Sequence, residues 1–353
     1  MQDIDAELLP LLACPIEGAS LRADGSMLEC EHGHRYPVVE GVPVLLRPDV
    51  PQTIELASQS LALADKYLIG DRDDPWFVDS IGVSDQEKAH LREMLATPRG
   101  AVDPVVSCLV AATNGILYKG LVGRLEGLPI SVLPMPFGNG QTLLDIGCSW
   151  GRWSMAAARN GYRPVGVDPS LGAVLAARRQ ARASGVAFHG IVGDARYLPL
   201  MAGAIDAAWS YSVLQHFSKE DAKRALINVA RVVRPGGAVK IQMASAVGLR
   251  SFQHLARRRF REPESFDVRY WLPWELRDAF REIFGDAQLS VDCYFGLGLQ
   301  SSDAALMSAP VRCLLKLSDA LRGVSSIVTP LAYVADSLFI TSENRLPPTI
   351  AVA

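Results

Sequence analysis

The sequence predicts an α/β fold in which a largely parallel sheet is covered by helices on both faces. Three observations carry this. From about residue 140 onward, short apolar runs alternate with amphipathic stretches of helical period. The first run ends in Asp145 and breaks at once into the small residues of "GCSWG", so the strand passes into a tight turn at the carboxyl edge of a sheet. The first fifty residues have another texture, rich in Gly and Pro with brief β-type runs.

With 353 residues, 49% hydrophobic and 21% charged, the chain can bury a sizeable core and hold more than one domain. A net charge of −3 gives no global pull toward nucleic acid or anionic lipid, so polyanion binding would need a local cluster. Cysteines 14, 30, 108, 148, 293 and 313 are scattered and no amino-terminal apolar signal precedes them, which predicts reduced thiols and a cytoplasmic protein. No window reaches the roughly 18 apolar residues of a spanning helix, so no membrane span is expected.

Along the chain, residues 1–50 read as a small β-module closed by Pro48. Residues 51–139 read as a helical cap and linker. Ser84 and Glu87 make a capping box, Pro104 suits a first helical turn, and "PMPFGNG" reads as the linker. Residues 140–345 form the predicted core, with helical insertions at 245–285 and 300–328. Strands are expected at 142–147, 163–168, 187–192, 205–211, 237–243, about 288–296 and about 333–341, seven in all. Gly161 closes the first core helix; the second follows Ser170 and ends before Gly185. "RPGG" is expected to turn into the fifth strand.

The strand ends suggest what the sheet edge holds. Small residues after Asp145 let backbone approach a nucleotide-like ligand. Asp168 ends the second strand 23 residues later, where a carboxylate can accept both hydroxyls of a ribose. The third strand runs into "GDARYLPL", whose Asp194 and the backbone at Ala195 could read an adenine edge, and the fourth runs into "WSYSVLQHF".

This series resembles the class I S-adenosylmethionine-dependent methyltransferases, with a core like methyltransferase type 11. The resemblance spans about 140–244 and extends toward 341. It implies a Rossmann-like seven-stranded sheet with S-adenosylmethionine as cofactor and S-adenosylhomocysteine as product. The cofactor residues it implies are Asp145, Gly147, Cys148, Ser149, Gly151, Asp168, Pro169, Asp194, Ala195 and Ser210. Ser149 stands where the family's loop commonly has its middle glycine. A nicotinamide dehydrogenase is the rival, but Gly-x-Gly-x-x-Gly is absent, and "GDARYLPL" and "RPGG" have no role in a dinucleotide fingerprint.

In the amino-terminal module, Cys14, Glu17, Cys30 and His34 offer four donors, three of them good zinc ligands. The module resembles the zinc-ribbon-like activator of RNA and protein methyltransferases and the zinc ribbon fused to certain ribosomal-RNA guanine methyltransferases. Glu17 stands where the family has cysteine. A zinc site and a metal-free apolar knuckle both fit, and His32 reads as a surface residue.

On the acceptor side, the resemblance places Tyr211, His216, Tyr270, Trp271 and Trp274, with Asn114 and Tyr118, around the second substrate. His216 and then Tyr211 are the candidate general bases; a helix-capping or packing role is the plain alternative for the histidine. In "GLRSFQHLARRRFR", Arg250, His254, Arg257, Arg258 and Arg261 share one helical face, and Leu249, Phe252, Ala256 and Phe260 fall largely on another. That basic face could hold phosphate, carboxylate, a carrier protein or RNA, or be a solvated surface paired with Glu262 and Glu264. The expected activity is methyl transfer to a small-molecule acceptor, such as an anionic, carrier-bound or specialised metabolite. RNA methylation and a non-catalytic, cofactor-binding activator subunit are the alternatives. Oligomeric state and the acceptor atom stay open.

Overall fold

The computed structural model describes residues 4–96, 102–263, 267–296 and 298–345. The chain divides into two compact units, Met1–Ala204 and Ile205–Ala353.

The first unit begins with an antiparallel sheet of β1 (Leu21–Asp24), β2 (Met27–Cys30), β3 (Arg35–Val39) and β4 (Val42–Pro43), paired in that order. The β3–β4 turn needs two left-handed residues, Glu40 (φ 50°) and Gly41 (φ 78°), the backbone that matches strand twist in tight hairpins. Three helices come next: α1 (Glu55–Leu68), α2 (Asp85–Ala96) and α3 (Pro104–Asn114). The predicted capping box is present, since Ser84 N–H donates to Glu87 at 3.0 Å and Glu87 N–H to Ser84 Oγ at 3.4 Å. Pro104 opens α3 as expected. Asp103 caps that helix, accepting from the N–H groups of Val105 and Val106, and also holds Arg179 at 2.7 Å.

After the helices lie β5 (Thr142–Ile146), α4 (Arg152–Arg159), β6 (Arg163–Asp168), α5 (Leu171–Ala183) and β7 (His189–Val192). β5 pairs with β6 and β6 with β7, both parallel. β7 would present unpaired backbone on its outer side. The amino-terminal module covers it: Val44 bridges Val192 in parallel, and Leu45 N–H donates to Val192 O at 2.7 Å. Val39, Val44 and Leu46 of the module share one apolar cluster with Ala57 and Leu63 of α1 and with Leu171, Val174 and Leu175 of α5.

The second unit contains β8 (Ile205–Ser210), α6 (Lys219–Val232), β9 (Val233–Ala244), α7 (Leu249–Arg257), α8 (Pro273–Phe284), β10 (Gln288–Cys293), α9 (Ala309–Ser325) and β11 (Ser337–Glu343). β8 and β9 are parallel, whereas β11 runs antiparallel to both β9 and β10. The seven strands predicted for the core are present, β5–β7 in the first unit and β8–β11 in the second.

Three expectations need correction. "RPGG" is no turn between helix and strand: it lies inside β9 as an irregularity, where the pairing jumps from Ile205↔Val233 to Ala207↔Ala238 and Gly236 takes φ 78°. The last strand starts at Ser337, because Thr329–Val334 forms a 3-10 helix. The basic face is shorter than the sequence suggests. α7 ends at Arg257, and left-handed Arg259 and Phe260 (φ 54° and 55°) carry Arg261 away from it. Glu262 forms no ion pair among the described residues, and Glu264 lies outside them. In α8, Leu276, Phe280, Ile283 and Phe284 are buried as expected.

The first unit allows a test of its close packing. A methyl group at Gly172 would meet Phe77 O at 2.5 Å, a backbone atom that cannot swing aside. Gly172→Ala is expected to cost about 1–3 kcal/mol, the usual range for overpacking, as read from urea midpoints. An unchanged midpoint would contradict the close approach.

Candidate functional site

β5 brings the glycine turn to the carboxyl edge of the sheet. Gly147 (φ 71°) and Gly151 (φ 83°) take backbone that side chains disfavour, and Ser149 itself is left-handed at φ 44°. Gly147 and Cys148 donate to Val167 O at 2.8 and 3.2 Å, which ties the turn to β6. Cys148 is buried, and burial pushes its thiol up. Trp150 is also buried, and its indole donates to Thr113 Oγ1 of α3 at 3.0 Å. Trp153 turns into the core.

The two acids that end β5 and β6 differ in environment. Asp145 is buried and accepts from Ser154 Oγ at 2.6 Å, so it fastens the strand to α4. Burial raises its carboxyl to about 7, opposed by the Ser154 hydrogen bond and helped by Asp168. Asp168 accepts Ser149 N–H on one oxygen and Ser170 N–H on the other, both at 2.9 Å. Burial raises it to about 6, against those two bonds. Each Asp168 oxygen keeps a further acceptor position.

Two buried serines from the helical region fix the backbone beside Asp168. Ser60 Oγ donates to Pro169 O at 2.7 Å and accepts Leu171 N–H at 3.0 Å. Ser80 O accepts Ser170 Oγ at 2.6 Å, and Ser80 Oγ accepts Gly172 N–H at 2.8 Å. Sequence reasoning missed both, since each acts across about a hundred residues and neither lies in a motif. It also missed Thr113. Asn114, which it named for the acceptor wall, is buried at the end of α3, and its Nδ2 has no hydrogen-bond partner among the described residues. A buried donor without an acceptor is costly unless a ligand satisfies it.

Asp194 is buried and capped by its own neighbour. Its oxygens accept Arg196 N–H at 2.8 Å and the Arg196 guanidinium at 2.7 Å, leaving the Ala195 backbone beside a pinned carboxylate.

In the second unit Ser210 is wholly buried at the end of β8. Tyr211 OH donates to Asp292 Oδ2 at 2.9 Å and accepts from Gln300 Nε2 at 2.6 Å. Asp292 also accepts from Ser337 Oγ at 2.8 Å, while its Oδ1 has no hydrogen-bond partner among the described residues; burial raises its proton affinity. Sequence reasoning did not single out Asp292. His216 ends a 3-10 turn, half-buried, and its carbonyl accepts from Arg269 at 2.6 Å. Trp271 is buried and Trp274 exposed.

In the amino-terminal module, Cys14 Sγ and Cys30 Sγ lie 3.7 and 3.4 Å from His34 Nδ1. Tetrahedral zinc with its usual bond lengths places sulfur and nitrogen about 3.5 Å apart, so these three donors fit. Glu17 lies 3.8 Å from His34 Nδ1 but pairs more closely with His32, which is exposed at the surface as the sequence suggested.

Residues 143–237 match a family model described as "Methyltransferase domain". A malonyl-[acyl-carrier protein] O-methyltransferase of Serratia marcescens is 36% identical over 111 residues, 31% of this chain and 41% of that protein. A ubiquinone biosynthesis O-methyltransferase of Rhizobium etli is 33% identical over 111 residues, 31% of this chain and 43% of that one. The chain thus spans less than half the length of these relatives. A solved structure from Thermotoga maritima, a SAM-dependent methyltransferase described as a possible histamine N-methyltransferase, covers 60% of this chain and 84% of its own at 16% identity and TM-score 0.39. No helix among the described residues is long and apolar enough to cross a membrane.

The buried acid allows a check. Asp145 binds its proton more tightly folded (about 7) than unfolded (3.8), so its stabilising contribution is full below 3.8 and is lost as pH rises through about 7. Asp145→Asn is expected to flatten the fall in stability over that window. An identical pH profile for the variant would contradict the assignment.

Proposed function

We propose, for a chain whose residues 143–237 match the methyltransferase domain, that it transfers a methyl group from S-adenosylmethionine to an oxygen of a small or carrier-bound acceptor. The observation that carries this is Asp168. Its carboxylate is oriented by two backbone N–H groups, with one acceptor position free on each oxygen for the two ribose hydroxyls. The unpartnered Nδ2 of Asn114, one residue from the Thr113 that anchors Trp150, supports the fit with a donor awaiting an acceptor. Gly147, Ser149 and Gly151 would offer backbone to the methionine part, and Asp194 with Ala195 the adenine end. The names of the two relatives support oxygen as the acceptor atom and a carrier-bound acid as one acceptor class.

When bound, the cofactor supplies an electrophilic methyl group on a sulfonium. The chain must then position the acceptor and take up its proton. Tyr211 is the better candidate, ahead of His216, acting as a relay: its hydroxyl would receive the acceptor's proton as its own passes to Asp292, to which it already donates and whose proton affinity burial raises. In the amino-terminal module, Cys14, Cys30 and His34 would hold a structural zinc ion, with Glu17 as the fourth ligand.

Calorimetry tests the cofactor reading. S-adenosylmethionine is expected to bind, with affinity rising with pH through about 6 as Asp168 ionises. Loss of two charge-assisted hydrogen bonds in Asp168→Ala should weaken binding by roughly 3 kcal/mol or more. Binding that survives that change intact would contradict the proposal. For the module, elemental analysis should give zinc near one per chain, lost in Cys30→Ser; a value near zero would retire the site.

A further inference from the structure

We propose that α7 and the turn behind it dock the protein onto lipid surfaces bearing anionic headgroups, a role independent of methyl transfer. The orientation of α7 is fixed by Ser251, its one buried residue, whose N–H donates to Asp336 Oδ1 at 2.9 Å. That leaves two other flanks in solvent. One carries Leu249, Phe252 and Ala256 at i, i+3 and i+7; the other carries Arg250, His254 and Arg257 at i, i+4 and i+7.

The apolar flank is not covered. Leu249 is 72% exposed and Phe252 57%. Left-handed backbone at Arg259 and Phe260 turns the chain back so that the Phe260 ring, itself 61% exposed, lies 5.8 Å from that of Phe252. Two non-glycine residues in this conformation are thus used to hold an aromatic pair in water, where it contributes nothing to the core.

The charge beside it is also unneutralised. Arg250, Arg257, Arg259 and Arg261 have no carboxylate partner among the described residues; Arg250 is hydrogen-bonded to Gln253 at 3.0 Å. A chain of net charge −3 is repelled by an anionic bilayer as a whole, so attraction must come from such a local cluster. Large apolar groups with guanidinium groups alongside match the two layers of a lipid interface, acyl boundary and phosphate. A helix flank is convex, and a fluid interface conforms to it where a rigid protein would need a matching groove. RNA would use the arginines but leave Leu249 and the phenylalanine pair without a role.

Co-sedimentation of the full chain with vesicles tests this, using phosphatidylcholine alone and phosphatidylcholine mixed with phosphatidylglycerol. Binding is expected mainly to the mixed vesicles. Arg250→Glu with Arg257→Glu, and separately Phe252→Ser with Phe260→Ser, should each weaken it roughly tenfold or more. These side chains are exposed, so thermal melting should be unchanged; Arg257→Gln is the milder variant if charge reversal disturbs folding. Wild-type protein left in the supernatant with both vesicles, equal binding to both, or double variants that bind like wild type would overturn the proposal. So would vesicle-independent loss of a soluble dimer, or of binding to acyl carrier protein, in the phenylalanine variant, which would give this face to a protein partner.

Discussion

One carboxylate organises the first unit. Asp168 receives the N–H of Ser149 from the turn after β5 and the N–H of Ser170 from the head of α5, so two separate backbone segments converge on one acid. Hydrogen bonds to a charged group contribute about 1.5–3 kcal/mol each, enough to hold a left-handed serine in place. The arrangement explains why the middle position of a glycine turn can be serine. The strain at Ser149 is offset by the bond its own N–H makes.

The convergence is braced from outside the sheet. Ser60 of α1 and Ser80 fix the carbonyls and N–H groups of residues 169–172, while Thr113 of α3 fixes Trp150. The helical region is therefore part of the cradle, and the small β-module, which seals the outer side of β7, shares its apolar cluster with α1 and α5. Burial then separates the two acids. Asp145 is tied to Ser154, whereas Asp168 keeps an acceptor position on each oxygen. A site built this way is organised before any ligand arrives, which lowers the ordering cost of binding.

Much of this was legible because it is local. Alternating apolar runs, the capping box at Ser84, Pro104 and the turn residues around Gly147 act within a few positions of themselves. Asp168 could be read because a strand end has a fixed spacing from the turn before it. Ser60, Ser80 and Asp292 could not, since a single serine or aspartate bonded across 45 to 111 residues leaves no periodic trace. "RPGG" was misread for the converse reason: its composition is that of a turn, and only the pairing with β8 shows that the strand passes through it. Likewise, spacing put Glu17 among the metal donors, but could not show that His32 competes for its carboxylate.

The cofactor assignment stands or falls on what occupies the turn between β5 and α4. A crystal structure with S-adenosylhomocysteine bound answers this directly. Both ribose hydroxyls are expected within hydrogen-bonding distance of Asp168, with an acceptor atom of the ligand on Asn114 Nδ2. Ligand density elsewhere, with Asp168 touching only Ser149 and Ser170, would contradict the assignment.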